Sequence, residues 1–238
     1  MPASRMTATP TIGRLAVIGV GLIGGSLARA LREAGQVGEV VGCGRGRANL
    51  DAALAAGVID RYTHDPAAAV AGADMVFLAV PLGAMRATLA QIAPQLTADA
   101  VVTDGGSAKG SVVADAAAAC GGEVPGWFVP GHPIAGTEQQ GVEASFAALY
   151  RGRRVILTPT ATTTAVALQR VTAMWEACGA EVVQMDVAHH DDVLAATSHL
   201  PHMLAFGLVD TLARMRDNDE IFRYAAGGFR DFTRIASS

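Results

Sequence analysis

Basic residues are few in this 238-residue chain: 18 Lys and Arg stand against 22 Asp and Glu, for a net charge of −4, and Lys109 is the sole lysine. Such a surface has no broad basic face to neutralise phosphates, so nucleic acid is not an expected partner. Long apolar runs are missing as well. The charge-free stretch from Leu15 to Ala28 is too short to span a bilayer and is broken by glycines, so no membrane association is expected. Residues 1–13 are polar, contain proline and lack the layout of a secretory signal, and read as a disordered leader. Cysteine is scarce: Cys43, Cys120 and Cys178 are an odd number, far apart and in no C-x-x-C pair. A disulfide framework or zinc knuckle is therefore not expected, no metal is expected, and a reducing cytoplasm fits. No internal repeat or low-complexity linker is visible. Hydrophobic residues make up 51% of the chain and charged ones 17%, enough apolar matter to bury a sizeable core.

From Leu15 to Pro133, short apolar runs alternate with longer Ala-rich stretches. Leu15–Ile18, Val37–Val41, Met75–Val80 and Val101–Thr103 read as buried strands, with Trp127–Pro130 as a further strand at the sheet edge. Gly25–Ala34, Ala48–Ala56, Leu82–Ile92 and Ser111–Ala119 read as helices; Gly35 and Gly57 sit where a left-handed C′ residue is wanted. This alternation predicts a parallel α/β sheet covered on both faces. Beyond Gly136 the pattern predicts a helix over Glu138–Leu149, a strand Arg154–Leu157, a helix Thr163–Ala177 and a strand Glu181–Met185. From Asp186 to about Met215 the periodicity is helical, broken only by Pro201. The expected division is a dinucleotide-binding domain over 14–183 and a mainly helical domain over 184–238.

Val17-Ile-Gly-Val-Gly-Leu-Ile-Gly-Gly-Ser26 matches G-x-G-x-x-G after a strand and at the opening of a helix. Gly19 allows the tight turn, Gly21 lets backbone approach a pyrophosphate, and Gly24 allows close helix–strand packing. The helix N-terminus then holds the anion. Gly19, Gly21, Leu22, Ile23 and Gly24, with Arg45 and the Val80-Pro81 turn, are the expected cofactor contacts. Where an NAD site usually carries an acid on the ribose, this chain has Gly42-Cys-Gly-Arg45. Arg45, with Arg47 nearby, suits a 2′-phosphate, so NADP is the expected cofactor, with NAD also possible.

Three loops should meet beyond the carboxyl ends of the strands: Val80–Leu82, Asp104–Lys109 and Pro130–Glu138. In the last, His132 sits between Gly131 and Pro133 with little freedom, and histidine is suited to take a proton near neutral pH. Ser107 lies on an adjacent loop. His199 and His202, three apart, share a helix face, but no third ligand announces a metal; a substrate contact or a packed histidine is the better reading. His189, His190, Asp191 and Asp192 read as a solvated helix face. Arg230 and Arg234, among aromatics after Gly227-Gly228, suit a carboxylate clamp or, for Arg230, a surface ion pair with Asp231.

These strings, above all Gly131-His-Pro-Ile-Ala-Gly-Thr-Glu138, Ser198-His-Leu-Pro-His202 and Gly227–Ala236, stand in the order found in the prephenate/arogenate dehydrogenase family, which the chain resembles from Arg14 onward. The resemblance implies a Rossmann-type doubly wound parallel sheet followed by a mainly helical dimerisation domain. It also implies oxidative decarboxylation of prephenate to 4-hydroxyphenylpyruvate with hydride transfer to NAD(P)+ in tyrosine biosynthesis, or of arogenate to tyrosine. By resemblance His132 is the base and Ser107 orients the substrate hydroxyl. His199 lies in the pocket and Arg234 meets a substrate carboxylate. Glu138 gates the pocket, and Arg230 belongs to its ion network. The family continues past the Arg-Ile-Ala string, so the 238-residue form is expected to dimerise poorly and to lose activity, whereas a longer chain would form a homodimer.

Two other readings compete. A β-hydroxyacid dehydrogenase shares the plan but relies on a lysine in its long helix, and none lies between Asp186 and Met215. A regulatory module that binds NADP(H) without turnover would need neither His132 nor Arg234.

Overall fold

The structure, a computed structural model, describes residues 11–216 and 218–236. The first half alternates strand and helix: β1 (Ile12–Ile18), α1 (Leu22–Glu33), β2 (Val37–Cys43), α2 (Arg47–Ala55), β3 (Arg61–Thr63), α3 (Pro66–Val70), β4 (Met75–Leu78), α4 (Met85–Ile92), β5 (Val101–Asp104), α5 (Lys109–Ala119) and β6 (Phe128–Val129). All six strands pair in parallel in the order β3-β2-β1-β4-β5-β6. The order reverses between β1 and β4, the switch point at which doubly wound sheets bind ligands. Leu15 and Val17 face one apolar layer and Ala16 and Ile18 the other, so both sheet faces are covered.

β1 begins at Ile12, inside the expected leader; residues 1–10 of that leader lie outside the described residues. β4 stops at Leu78 rather than Val80, because the chain turns there toward Pro81, which has no N–H for a sheet ladder. β3 and α3 carry too short a pattern to be read in advance. Gly35 and Gly57 do adopt φ of 68° and 64°.

At Pro130 the chain leaves the large sheet and enters a smaller one, β7 (Gly131–Pro133), β8 (Arg154–Leu157) and β9 (Glu181–Gln184), in that order. β7 runs antiparallel to β8, with His132 opposite Ile156. His132 therefore sits on a strand, not on a loop. Between β8 and β9, α6 (Ala165–Ala177) packs Trp175 edge-on against Phe77 and Tyr150, with ring centroids 5.5 and 5.0 Å apart.

The helix expected over Glu138–Leu149 does not form; only Ala147–Tyr150 makes a 3-10 turn. Gly141 takes a φ of 82°, which ends helical propagation, and tertiary bonds replace the helical ones. The Val142 N–H donates to Asn49 Oδ1 at 2.9 Å, the Phe146 N–H to Ser26 Oγ at 3.1 Å, and the Tyr150 hydroxyl to the Ile23 carbonyl at 2.6 Å. The segment is a strap across α1.

The last part is helical: α7 (Val187–Leu194), a π turn (Ala195–His199), α8 (Leu200–Ala213), α9 (Asn218–Arg223) and α10 (Gly227–Thr233). Pro201 denies a donor to the carbonyl one turn earlier, and the π turn absorbs the mismatch without breaking the rod. Among the described residues no helix is long and apolar enough to cross a membrane.

Candidate active site

The turn from β1 into α1 is shaped by its glycines. Gly19 has a φ of 100°, and a Cβ there would lie 2.1 Å from the Ala79 carbonyl oxygen; a Cβ on Gly24 would lie 2.2 Å from the Gly19 oxygen. At Gly21 nothing stands within 4 Å of a Cβ position. Gly21 is the N-cap of α1, and no side chain caps that helix start. Free first-turn N–H groups facing open space fit a pyrophosphate. A cavity of about 570 Å³ beside it is lined by Gly19, Gly21, Arg45 and Asn49, among others. Asn49 Nδ2 donates to the Val20 carbonyl at 2.6 Å, which fixes the loop. Arg45 is on the cavity wall, whereas Arg47 is turned to Asp51 at 3.5 Å. Val80 and Pro81 follow β4 at the same sheet end, where Ala79 closes the wall.

A second cavity, of about 680 Å³, is lined by His132 to Glu138, by Leu194, Thr197, Ser198 and His202 from the helical part, and by Arg234 and Ile235. The structure thus brings His132, Glu138 and Arg234 around one space. Arg234 Nη1 and Glu138 Oε2 are 4.0 Å apart, both largely exposed at the rim. His202 lines this wall and His199 does not, although His199 is close enough to act electrostatically on His132. His202 Nδ1 is bonded to the Ser198 carbonyl at 2.8 Å. Ser107 is exposed just ahead of α5 and is not on the cavity wall. Arg230 is exposed on α10 and is not on the wall either. Among the described residues no group of His, Cys, Asp and Glu is arranged to hold a metal ion.

His132 is held from behind by groups whose importance was not legible in the sequence. Lys109 and Asp104 form an ion pair at 2.5 Å with neither side chain exposed. Lys109 Nζ also donates to the Gly131 carbonyl at 2.5 Å, while Asp104 Oδ1 accepts the Gly131 N–H at 3.0 Å. Both backbone groups of the residue before His132 are thereby clamped. Burial pulls the Lys109 ammonium toward its neutral form, and the Asp104 charge opposes this.

His190 and Asp191 are not solvated. The His190 side chain is fully buried, with Nε2 2.9 Å from His132 Nδ1 and Nδ1 2.8 Å from Asp191 Oδ1. Asp191 also caps α5, accepting the N–H groups of Lys109 and Gly110 at 2.8 Å each. Burial alone would raise the Asp191 pKa, but the Gly110 N–H, the His190 ring and the Lys109 N–H hold it below the usual range. His189 and Asp192, by contrast, are exposed. Burial, then the charge of Lys109 and then the neighbouring histidines push the pKa of His132 down to about 3. Its imidazole is neutral at pH 7.

An open glycine-loop cradle on a doubly wound sheet and a second cavity walled by a neutral imidazole are the parts that a nicotinamide-dependent dehydrogenase needs.

The comparisons with known proteins name the family. The nucleotide-binding domain of prephenate dehydrogenase matches residues 27–184, and its dimerisation domain matches residues 186–238. The chain is 40% identical over 226 residues to a cyclohexadienyl dehydrogenase of Zymomonas mobilis, covering 94% of this chain and 76% of that protein. It is 34% identical over 222 residues to a prephenate dehydrogenase of Bacillus subtilis, spanning 59% of that protein's length. Among solved structures, the prephenate dehydrogenase of Aquifex aeolicus in complex with hydroxyphenyl propionate and NAD+ superposes with a TM-score of 0.87 at 41% identity, covering 95% of this chain and 78% of that one. An arogenate dehydrogenase of Synechocystis gives 0.76 at 31% identity, covering 94% and 79%. The chain belongs to the prephenate dehydrogenase family.

Proposed function

We propose that the protein converts prephenate to 4-hydroxyphenylpyruvate and carbon dioxide with transfer of hydride to NADP+, in the cytoplasm, on the route to tyrosine. The observation that carries the reading is the neutral, half-buried His132 on the wall of a cavity whose rim holds Arg234 and Glu138. The nicotinamide, when bound, supplies the hydride acceptor. His132 accepts the proton of the ring hydroxyl as the carbinol hydride departs, so the oxygen becomes a carbonyl. The ring carboxylate then leaves as carbon dioxide, its bonding pair enters the ring, and the phenol oxygen takes the proton back from His132. Arg234 is the bidentate partner of a substrate carboxylate, exchanging Glu138 for it. A dicarboxylate in the cavity offsets the positive charge of Lys109 and lifts the proton affinity of His132. The family resemblance supports Ser107, which lies off the cavity wall, as the group that orients the hydroxyl, and Arg230 as part of the outer ion network; His202 shapes the pocket wall, with His199 behind it acting on His132 through its charge. Arogenate is the second reading, supported by the likeness to the Synechocystis arogenate dehydrogenase. Following nicotinamide reduction with each substrate and each cofactor tests both; no rate with either substrate from a protein that sediments as a dimer and binds the cofactor would reject the proposal in favour of a binding module.

Gly19, Gly21, Leu22, Ile23, Gly24, Arg45, Val80 and Pro81 form the proposed cofactor contacts. The preference for NADP+ rests on Arg45 and on a cavity lining without a carboxylate. Arg45→Ala is expected to raise the KM for NADP+ by about 10- to 100-fold, the weight of one or two charge-assisted bonds, and to leave that for NAD+ nearly unchanged. Equal effects on both cofactors would remove Arg45 from the phosphate.

Two copies are proposed to pair through α8, where Leu200, Met203, Leu204 and Phe206 are 54%, 71%, 55% and 46% exposed. The match of this part to a dimerisation domain supports the reading. Met203→Glu is expected to shift sedimentation from dimer to monomer; an unaltered protein that already sediments as a monomer would remove α8 as a pairing face.

A further inference from the structure

We propose that His190, held by Asp191, is a positioning residue that sets the tautomer of His132 and takes up its charge when the substrate proton arrives. The inference rests on the reading of His132 as the base and adds to it a second imidazole and a carboxylate behind the reacting group.

The Asp191 carboxylate accepts hydrogen bonds only, and it already takes the N–H groups of Lys109 and Gly110. The His190 nitrogen 2.8 Å from it is therefore the protonated one, Nδ1. A neutral imidazole has one donor and one acceptor, so His190 Nε2 carries a lone pair. That lone pair is 2.9 Å from His132 Nδ1, which must then be the donor. His132 Nε2 is left with the lone pair, which a base needs. The chain of three groups thus converts an acceptor on α7 into an acceptor on β7.

Proton transfer follows the same line. The substrate hydroxyl proton bonds to His132 Nε2, and the Nδ1 proton of His132 moves to His190 Nε2. Each step forms one N–H bond and breaks one bond to hydrogen, and no electrons are gained or lost. The charge comes to rest on an imidazolium paired with Asp191, and on aromatisation the protons run back to the phenol oxygen. The charged and titratable groups facing the pair are Lys109 from α5, His199 from the π turn and Asp191 from α7. Lys109 opposes an imidazolium at both rings, and only Asp191 favours one. His190 is bonded directly to Asp191 and His132 is not, so the charge is better held on His190. Its full burial leaves it no solvent to serve in place of these partners.

The test joins spectroscopy to kinetics. A long-range 1H–15N spectrum of the free protein at pH 7.5 is expected to show both His132 and His190 protonated at Nδ1. A wild-type His132 protonated at Nε2 overturns the proposal, whatever the substrate proves to be. In His190→Leu, His132 is expected to revert to the Nε2–H form, and kcat with saturating prephenate is expected to fall about 100-fold, with KM within threefold. Asp191→Asn should shift kcat in the same direction by less. His190→Gln, whose amide oxygen can accept from Nδ1, should restore part of the loss and move the acid limb of the kcat–pH profile. A rise in KM alone, or an unchanged profile in His190→Gln, would reduce His190 to packing. The wild-type spectrum and His190→Gln carry the test should His190→Leu fail to fold. A wild-type protein that sediments as a dimer and binds the cofactor, yet is inactive on both prephenate and arogenate, would sink the reading of the reaction, while the spectrum would still decide the tautomer.

Discussion

Lys109→Met is expected to lower folding stability by about 3–5 kcal/mol, because it strands Asp104 as an unpaired buried charge. Both side chains are at 0% exposure, so no water can replace the lost partner. The substitution also removes the donor to the Gly131 carbonyl, leaving a buried acceptor without its bond. For a chain of this size the loss corresponds to a fall in Tm of roughly 6–20 °C. Asp104→Asn in the same background should recover part of it, since the amide oxygen still accepts an N–H while the charge is gone. Urea denaturation of the two variants checks this. A loss below about 1 kcal/mol for Lys109→Met would mean that the pair does not hold β7, because such values belong to exposed pairs.

His132→Asn is expected to lower kcat by about 10²–10⁴-fold, the usual contribution of a positioned general base, with cofactor affinity nearly unchanged. The same substitution should flatten the dependence of stability on pH. In the folded free protein burial, then Lys109, keep His132 neutral down to about pH 3, whereas in the unfolded chain it binds a proton below about 6.5. Unfolding therefore takes up a proton between those values. Stability is full above pH 6.5 and falls as the pH drops toward 3, by at most about 1.4 kcal/mol per pH unit from this group. His190, whose pKa burial also lowers, adds in the same window. The lowered carboxylates Glu39 and Asp191 act only below about pH 4.5, so denaturation measured between pH 5 and 7 isolates the histidines. An unchanged slope in His132→Asn would mean that its ring is solvated.

The outline of the fold was open to reading because its signals are local. Four buried strands of β-branched residues, glycines at helix ends and a glycine loop at a strand–helix turn each need only their neighbours in sequence. Arg45 at the place of the usual acid, and the order of the strings around His132, His202 and Arg234, are likewise properties of the chain alone. What escaped is long-range. The Glu138–Leu149 strap reads as helix until Asn49, Ser26 and the Ile23 carbonyl, all more than 90 residues away, offer its groups better partners. His190 and Asp191 sit in a charged run that any pattern assigns to solvent. Only the docking of α7 on α5 and β7 buries the imidazole against His132 and turns the carboxylate onto a helix start. Sequence determined which chemistry the chain carries and in which domain. The tertiary structure decided which groups stand behind it, because the free energy of burying a charge or a ring depends on partners that come together only when distant segments meet.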